Sequence, residues 1–475
     1  MRLLDLIKNL NVIKITGNMN PDIKNISYDT RTVDENSIFV CIKGINTDRH
    51  EFISKALEKG CRAIVTEYPV SMDGAVNIVV SDTNKALALI CATYYNNPEK
   101  KLRIIGVTGT NGKTTSTTLI KKVLEDIGYK VGLIGTNDII VGDKVVPSDN
   151  TTPEAPDLFR YFSQMVDESC DFAVMEVSSH SVSLDRIYGL EFEAGLFTNL
   201  TQDHLDYHKT MDSYGKAKAK FFGSCLNSVI NNDDEYSDMM KDGAKGNLVT
   251  FSVENPSDYK ALNVIHEDNG VSYDVLGEHI DFPIPGGFSV YNSLGVFALL
   301  DVIEIEKGKI AQGLKNAKTV KGRCEIVPID KPYKVIIDYA HTPDGMENIL
   351  TTVNEFKKGN VICVFGCGGD RDKGKRPKMG AMAEKYADIV VVTSDNPRSE
   401  NPDSIIDDIM VGLNGTKPTH READRKEAIR LAMSIAKKDD IVLLLGKGHE
   451  TVQKFKDYNI EFDERKIVRE LCDLV

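Results

Sequence analysis

The chain has 475 residues, 41% of them hydrophobic, and a formal net charge of −13. That length suggests about three domains at roughly 150 residues each, every one able to bury its own core. The acidic balance argues against nucleic acid or an anionic membrane as the main partner, and no run of about 18 apolar residues is present, so no transmembrane segment is expected. The first ten residues are apolar at helical spacing but carry Asp5 and Lys8, which does not read as a signal peptide. Ile26–Arg31, Ser37–Ile42, Ala63–Thr66 and Val76–Val80 read as strands, and Ile53–Lys59 and Asn84–Tyr95 as helices. A polar stretch with Pro98, residues 96–101, reads as a hinge. The nine cysteines lack metal or disulfide spacing and read as reduced thiols of a cytoplasmic protein.

After the hinge comes Arg103-Ile-Ile, a β-branched run, then Gly106-Val-Thr-Gly-Thr-Asn-Gly-Lys-Thr-Thr115, then apolar residues at helical spacing to Ile127. Strand, glycine loop and helix start make a phosphate-binding context, because glycines let backbone N–H groups approach phosphate oxygens and the helix terminus adds partial positive charge. Lys113 would reach the β- and γ-phosphates, and Thr114 or Thr115 would hold Mg²⁺ through a hydroxyl. The loop is a variant, with Val107 where the usual signature has a further glycine. Val131–Ile134, Phe172–Val177, Gly195–Thr198 and Ser228–Asn231 read as further strands. Glu176, at one strand end, is a candidate Mg²⁺ ligand. His204 and His208 lie among aspartates, but a set rich in oxygen and without cysteine argues against zinc.

From Tyr333 onward, Val361-Ile-Cys-Val-Phe, Asp388-Ile-Val-Val-Val-Thr and Asp440-Ile-Val-Leu-Leu-Leu are continuous apolar runs, the pattern of parallel strands covered on both faces. Each leads into a polar or glycine-rich loop: residues 366–372, 394–398 and 446–450. Open α/β sheets bind ligands at the carboxyl ends of their strands, so the loops point to a second site.

Gly109-Thr-Asn-Gly-Lys-Thr-Thr, Glu176-Val-Ser-Ser-His, Thr198-Asn-Leu and Asp203-His-Leu-Asp-Tyr-His together resemble the Mur ligases, ATP-dependent ligases that build the peptide of bacterial cell-wall precursors. The resemblance continues through Gly287-Phe-Ser-Val-Tyr-Asn, Gly322-Arg-Cys-Glu, Asp338-Tyr-Ala-His-Thr-Pro-Asp, Asp424-Arg and Gly446-Lys-Gly-His-Glu, covering essentially the whole chain in order. It implies three α/β domains: a UDP-sugar-binding domain over 1–99, a central P-loop ATPase-like parallel-sheet domain over 100–326, and a C-terminal Rossmann-like domain over 327–475 that takes the amino acid. It implies a cytoplasmic monomer using ATP and Mg²⁺ in peptidoglycan precursor synthesis.

By the same resemblance, ATP lies against Gly109, Thr110, Asn111, Gly112, Lys113, Thr114, Thr115, Asn292, Arg323, Asp338 and His341. Thr115 and Glu176 serve one Mg²⁺ and His204 a second, while Lys218 is carbamylated and adds oxygens for the metal. Thr30, Ile45, Asn46, Thr47, Asn150, Thr151, Thr152, Ser178 and Arg186 hold the UDP-muramoyl peptide. Leu184 stands where some relatives have glutamine. Arg371, Asp395, Asn396, Pro397, Arg398, Gly446 and Glu450 form the amino-acid pocket. Asp395-Asn-Pro-Arg resembles the members that add meso-2,6-diaminopimelate to UDP-MurNAc-L-Ala-D-Glu, since Arg398 offers a planar fork to the carboxylate that lysine lacks. A lysine-adding ligase and, more remotely, a folylpolyglutamate synthetase-like ligase are the alternatives. A nucleotide switch would not need three strand-end loops in a separate domain.

Overall fold

The computed structural model describes every residue except 18, 19, 45, 46, 149, 268, 269 and 475. Continuous apolar runs make its parallel strands, and three sheets of five, nine and six strands follow one another along the chain, with two smaller antiparallel sheets beside them among the described residues. The first has five strands. Asn25–Ser27, Ser37–Val40, Ala63–Thr66 and Val76–Val80 run parallel, and Val12–Thr16 closes the edge antiparallel to Val76–Val80. The strand expected over Ile26–Arg31 stops at Ser27, because Ser27 and Asp29 bond locally to Thr32 and Arg31 and turn the backbone.

The second sheet has nine strands, with Arg103–Thr108 at its centre between Phe172–Glu176 and Phe192–Phe197, all parallel. Val107 is fully buried in the central strand and pairs with Glu176 and Leu196. It therefore cannot belong to a glycine turn, and the phosphate loop is confined to Gly109–Gly112. An antiparallel hairpin over Asp138–Val141 and Lys144–Pro147 extends one edge. A separate three-stranded antiparallel sheet over Leu262–Glu267, Gly270–Val275 and Glu278–Phe282, not foreseen from the sequence, packs against the apolar helix Gly287–Val302.

The third sheet has six strands and carries the loops at 366–372, 394–398 and 446–450 on the carboxyl ends of Val361–Phe365, Ile389–Val392 and Ile441–Leu445. Its first strand, Glu325–Val327, pairs antiparallel with Lys334–Asp338, so the boundary expected between 326 and 327 falls inside a strand. One buried apolar cluster runs without a break from the first sheet into the second, through Leu87 and Ile90 of helix Thr83–Tyr94 and Leu158 and Phe162 of helix Ala155–Asp167. The third unit has its own core on both faces of its sheet and meets the second through polar contacts.

Candidate active site

Gly109 and Gly112 are pressed against the side chains of neighbouring elements. A Cβ on Gly109 would lie 1.9 Å from Thr198 Oγ1, and one on Gly112 would lie 2.5 Å from Asn292 Oδ1 at a φ of +85°. Only glycine fits both positions. Thr198 Oγ1 donates to the Asn111 carbonyl at 2.6 Å and Asn199 Oδ1 accepts from the Asn111 N–H at 2.9 Å, so the next strand end holds the loop open at the start of helix Lys113–Asp126. Lys113 Nζ donates to the carbonyls of Gly109 and Thr110, both at 2.8 Å.

Lys218 meets the same turn from below. Helix Met211–Phe222, capped by Thr210, buries Tyr214, Lys218 and Phe222 along one stripe at i, i+4 spacing. Lys218 is 1% exposed, donates to the Gly109 carbonyl at 2.8 Å and lies 4.7 Å from the Tyr214 ring centre. Its neighbours Lys216 and Lys220 are exposed and paired with Asp212 and Asp185. Burial, with the charge of Lys113, holds the Lys218 ammonium well below its ordinary range, against Asp203. Burial, with Arg323, lowers Lys113 as well.

Glu176 is fully buried at the end of its strand. Its Oε1 accepts from Thr114 Oγ1 at 2.9 Å and from the Thr136 N–H at 2.8 Å, and its Oε2 accepts from Thr136 Oγ1 at 2.9 Å. The hydroxyl beside Glu176 is therefore that of Thr114 and not that of Thr115, as expected above. One residue is about 100° of helix turn, and it carries Thr115 round to the cleft wall beside Asn292. His204 sits at a φ of +53°, with its ring edge-on to His180 at 5.0 Å. Burial, with His180, Lys113 and Lys218, drives its pKa down to about 3 despite Asp203, so the imidazole is neutral. His208 is driven to about 4 by burial, with His180 and Lys218, and bonds Ser179 Oγ at 2.8 Å.

A cleft of about 450 Å³ runs from Asn111, Gly112 and Thr115 past Asn231 and Asn292 to Arg323, Asp338 and Tyr339 of the third unit. Asp338 accepts from the N–H groups of Cys324 and Ala340, both at 2.7 Å, and burial raises its pKa against Arg323. Arg323 lies 4.7 Å from the Tyr339 ring centre and donates to Thr114 Oγ1 at 3.1 Å. Its Nε is buried with no hydrogen-bond partner among the described residues, a donor that an anionic ligand would satisfy.

Asp203 joins the two units and was not singled out from the sequence. Its carboxylate lies 3.4 Å from His204 Nε2, 3.6 Å from His341 Nε2 and 3.7 Å from Lys375 Nζ, the last two belonging to the third unit. Burial opposes its ionisation, but His204, Lys375 and His341 beside it hold its pKa well below the carboxylate range. Asn111 Nδ2 to Asp344 Oδ2 at 2.6 Å and Gln202 Nε2 to Asp372 Oδ2 at 3.1 Å reinforce the docking. Nothing in local sequence marks these pairs, whose members are 233 and 170 residues apart.

The residues expected to hold the UDP-muramoyl peptide are divided between the first unit, with Thr30 and Thr47, and the second, with Asn150, Thr151, Thr152, Ser178 and Arg186. Ile45 and Asn46 lie outside the described residues. The Thr30 carbonyl accepts from Lys59 Nζ at 2.6 Å, and the Thr47 carbonyl from the Gly44 N–H at 3.0 Å. The Asn150 carbonyl accepts from Ser148 Oγ at 2.7 Å, and Thr151 Oγ1 bonds Thr136 Oγ1 at 3.1 Å. Thr152 is 1% exposed, and its hydroxyl donates to the Glu176 carbonyl at 2.8 Å. Ser178 caps helix Ser179–Ser183. Arg186 is paired with Glu154 at 2.6 Å and donates to the Thr152 carbonyl at 2.8 Å, which leaves its Nε buried and unpartnered among the described residues. Thr152 and Ser178 thus shape the strand end through protein contacts.

In the third unit Arg398 has a φ of +51°, an unfavourable conformation for a long side chain, and its Nη1 donates to the Gly369 carbonyl at 2.6 Å. Burial, with the charge of Arg371, lowers its pKa. A Cβ on Gly368 would stand 2.8 Å from Arg398 Nη1 and 3.7 Å from Arg371 Cγ, so the Arg398 guanidinium and the stem of Arg371 both border that glycine. Asn396 Nδ2 donates to Glu450 Oε2 at 2.8 Å. Gly446, at a φ of +109°, leaves room for Asp395. Arg425, 1% exposed, ties the loops together by donating to the carbonyls of Leu445 and Ser394 at 2.7 and 3.3 Å while pairing with Glu464 at 2.8 Å. Two guanidinium groups beside a carboxylate make a receptor for a zwitterion with an additional carboxylate.

Three family models match the chain in succession. The Mur ligase family catalytic domain matches residues 22–95, the Mur ligase middle domain 107–300, and the Mur ligase glutamate ligase domain 322–448. The chain is 48% identical over 479 residues to UDP-N-acetylmuramoyl-L-alanyl-D-glutamate--2,6-diaminopimelate ligase 1 of Clostridium acetobutylicum, covering 99% of both chains. It is 47% identical to the ligase of that name, without the numeral, from Clostridium perfringens, covering 100% of each. Among solved structures, a UDP-N-acetylmuramoyl-L-alanyl-D-glutamate--2,6-diaminopimelate ligase superposes with a TM-score of 0.70 at 28% identity, over 100% of this chain and 99% of the other. MurF ligase from Thermotoga maritima in complex with ADP superposes with a TM-score of 0.60 at 18% identity, over 89% and 93%, a likeness of fold.

Proposed function

The chain belongs to the Mur ligase family, and from that premise we propose that it joins meso-2,6-diaminopimelate to the γ-carboxylate of the D-glutamyl residue in UDP-MurNAc-L-Ala-D-Glu, with ATP converted to ADP and phosphate. Arg398, half-buried with Arg371, Asp395 and Glu450 near enough to act on its charge, carries the choice of amino acid. L-Lysine has no distal carboxylate to satisfy those guanidinium groups, and leaving them unpaired in a half-buried pocket disfavours it. The first unit serves the UDP-sugar, the second ATP, and the third the amino acid.

In the first step the γ-carboxylate attacks the terminal phosphorus of ATP, giving an acyl phosphate and ADP. In the second, the amine attacks the acyl carbon, phosphate leaves and the amine loses a proton. Both steps gather anions, and this chain supplies the cations that make that tolerable. Lys113 lies at the loop and Arg323, its Nε unpartnered, at the cleft wall. Lys375 and His341 reach Asp203 from the third unit and close the cleft against water. Asn292 lines the cleft for the adenine and Asp338 for the ribose.

The Thr114 hydroxyl and the Glu176 carboxylate form an oxygen donor pair that fits a hard divalent cation, and His204, apart from them, would serve a second. Mg²⁺ held there would neutralise phosphate charge during transfer. Lys218 is poised for carbamylation. Burial, with the charge of Lys113, lowers the pKa of its amine, and the unprotonated amine is the form that adds CO₂. The carbamate reverses the sign of the charge at that position and supplies oxygens to a metal. The free, buried thiols Cys41, Cys61, Cys91, Cys170, Cys225, Cys324, Cys363 and Cys367 support a cytoplasmic location, and the charge of −13 argues against nucleic acid as the main partner.

The experiment is a panel of amino acids with ATP, Mg²⁺ and UDP-MurNAc-L-Ala-D-Glu, read as phosphate release. Release should require both the UDP-dipeptide and meso-diaminopimelate. Equal turnover with L-lysine, or release with either substrate omitted, overturns the reading.

A further inference from the structure

One buried cation in the third unit has no part in the chemistry above. Lys447 follows Gly446 in the strand-end loop, and its side chain is 0% exposed. Its ammonium donates to Glu450 Oε2 at 2.9 Å and to Asn396 Oδ1 at 3.1 Å, and lies 3.9 Å from Asp395 Oδ1. Asn396 Oδ1 also accepts from the backbone N–H of Lys454 at 2.9 Å. With its oxygen committed to two donors, the Asn396 amide has one orientation, and its Nδ2 must face Glu450. Lys447 and Asn396 therefore converge on Glu450 Oε2, leaving Oε1 as the oxygen that neither of them engages.

We propose that Lys447 is a positioning residue for amino-acid selection. It fixes Glu450 in rotamer and charge so that Oε1 receives the distal ammonium while Arg371 and Arg398 receive the distal carboxylate. The proposal rests on the reading of the third unit as a diaminopimelate site. Its physical basis is charge balance. Asp395 and Glu450 lie 3.9 and 2.9 Å from the Lys447 ammonium and are largely shielded from water, so the cation between them offsets the repulsion of two neighbouring carboxylates. The other charged or titratable groups around Glu450 are Lys454, Arg398 and Tyr339, with His449 beside Lys447. Of these only Lys447 donates to both Glu450 and Asn396. Burial pushes the Glu450 pKa up and Lys447 brings it down below the ordinary value. Removing Lys447 leaves the upward push, so Glu450 takes a proton as pH falls and stops attracting an ammonium.

The test is steady-state kinetics of the full-length enzyme with ATP, Mg²⁺ and UDP-MurNAc-L-Ala-D-Glu saturating and meso-diaminopimelate varied, between pH 6 and pH 9. Lys447→Met should raise KM for diaminopimelate about ten- to a hundredfold at neutral pH, the equivalent of one charge-assisted hydrogen bond. The increase should steepen toward pH 6 and shrink toward pH 9, with the KM values for ATP and UDP-dipeptide within twofold of wild type. The double variant Lys447→Met/Glu450→Gln relieves the carboxylate opposition and gives a second route if the single variant does not fold. Its KM should equal that of Glu450→Gln alone, with no pH slope. A Lys447→Met KM within threefold of wild type at every pH, or a double variant tenfold worse than Glu450→Gln, overturns the proposal. Wild-type turnover in the same assay separates the two levels: if meso-diaminopimelate is not used at all, the substrate reading itself fails.

Discussion

Replacing Arg398 with asparagine removes the planar fork while keeping a residue that tolerates a φ of +51°. The stability terms nearly cancel. Relief of left-handed strain contributes about 1 kcal/mol, and loss of the 2.6 Å hydrogen bond to the Gly369 carbonyl costs about 1 kcal/mol. The melting temperature should move by only a few degrees, so kinetic changes cannot be ascribed to unfolding. Binding is different. A charge-assisted hydrogen bond to a carboxylate is worth about 1.5–3 kcal/mol, or about 10- to 150-fold in kcat/KM. Arg371 remains to take part of the load, so the lower half of that range is expected. Phosphate release with meso-diaminopimelate varied should show the loss in KM, with the KM for UDP-MurNAc-L-Ala-D-Glu unchanged. L-Lysine has no distal carboxylate to lose, so its kcat/KM should stay the same or rise. A diaminopimelate KM within threefold of wild type, or an equal loss for lysine, would refute recognition by Arg398.

Thr114→Val should reduce kcat by about 10²-fold or more, the scale for one polar group aimed at transferring charge, whereas Thr115→Val should cost far less; equal losses in phosphate release would return Thr115 to the place beside Glu176. Lys218→Ala should be nearly inactive and regain activity in short-chain carboxylic acids, which restore an anionic oxygen pair in the vacated space; full activity without additive would exclude a carbamate. His208 is 6% exposed with its pKa held at about 4, against about 6.5 when unfolded. Between those values the unfolded chain binds the extra proton, so stability is fully present above pH 6.5 and is lost as pH falls toward 4, by at most about 3 kcal/mol. Urea midpoints measured from pH 7 to pH 4 should fall less steeply in His208→Gln, and an unchanged slope would remove His208 as a cause.

Relations that span a few residues are legible in the sequence. The phosphate loop reads out because strand, glycines and helix start are contiguous, and the three strand-end loops read out because each apolar run stops abruptly at polar residues. Glu176 carries a signal of that local kind, whereas Lys218 and Arg398 were marked by resemblance to a family. The antiparallel sheet over 262–282 escaped because its first strand is mostly exposed, with Leu262 and Ile265 each 54% accessible, so it shows no run of core residues. The strand after Ile26 was overestimated because local side-chain bonds at Ser27 and Asp29 outcompete extension.

Tertiary structure decided what depends on partners brought from afar. Thr114 was chosen over Thr115 by the turn of one helix against a strand end 62 residues away. Asp203 became the junction of two units only when Lys375 and His341 were carried to it, and Lys447 gained a role from Asn396, 51 residues distant. Sequence alone determines where the backbone can approach a phosphate and where strands end, since both follow from side-chain volume and apolar patterning along the chain. It cannot determine which buried charge faces which, because Coulomb energy depends on separation in space and on the water excluded around it, and both are set only once the three sheets have closed on one another.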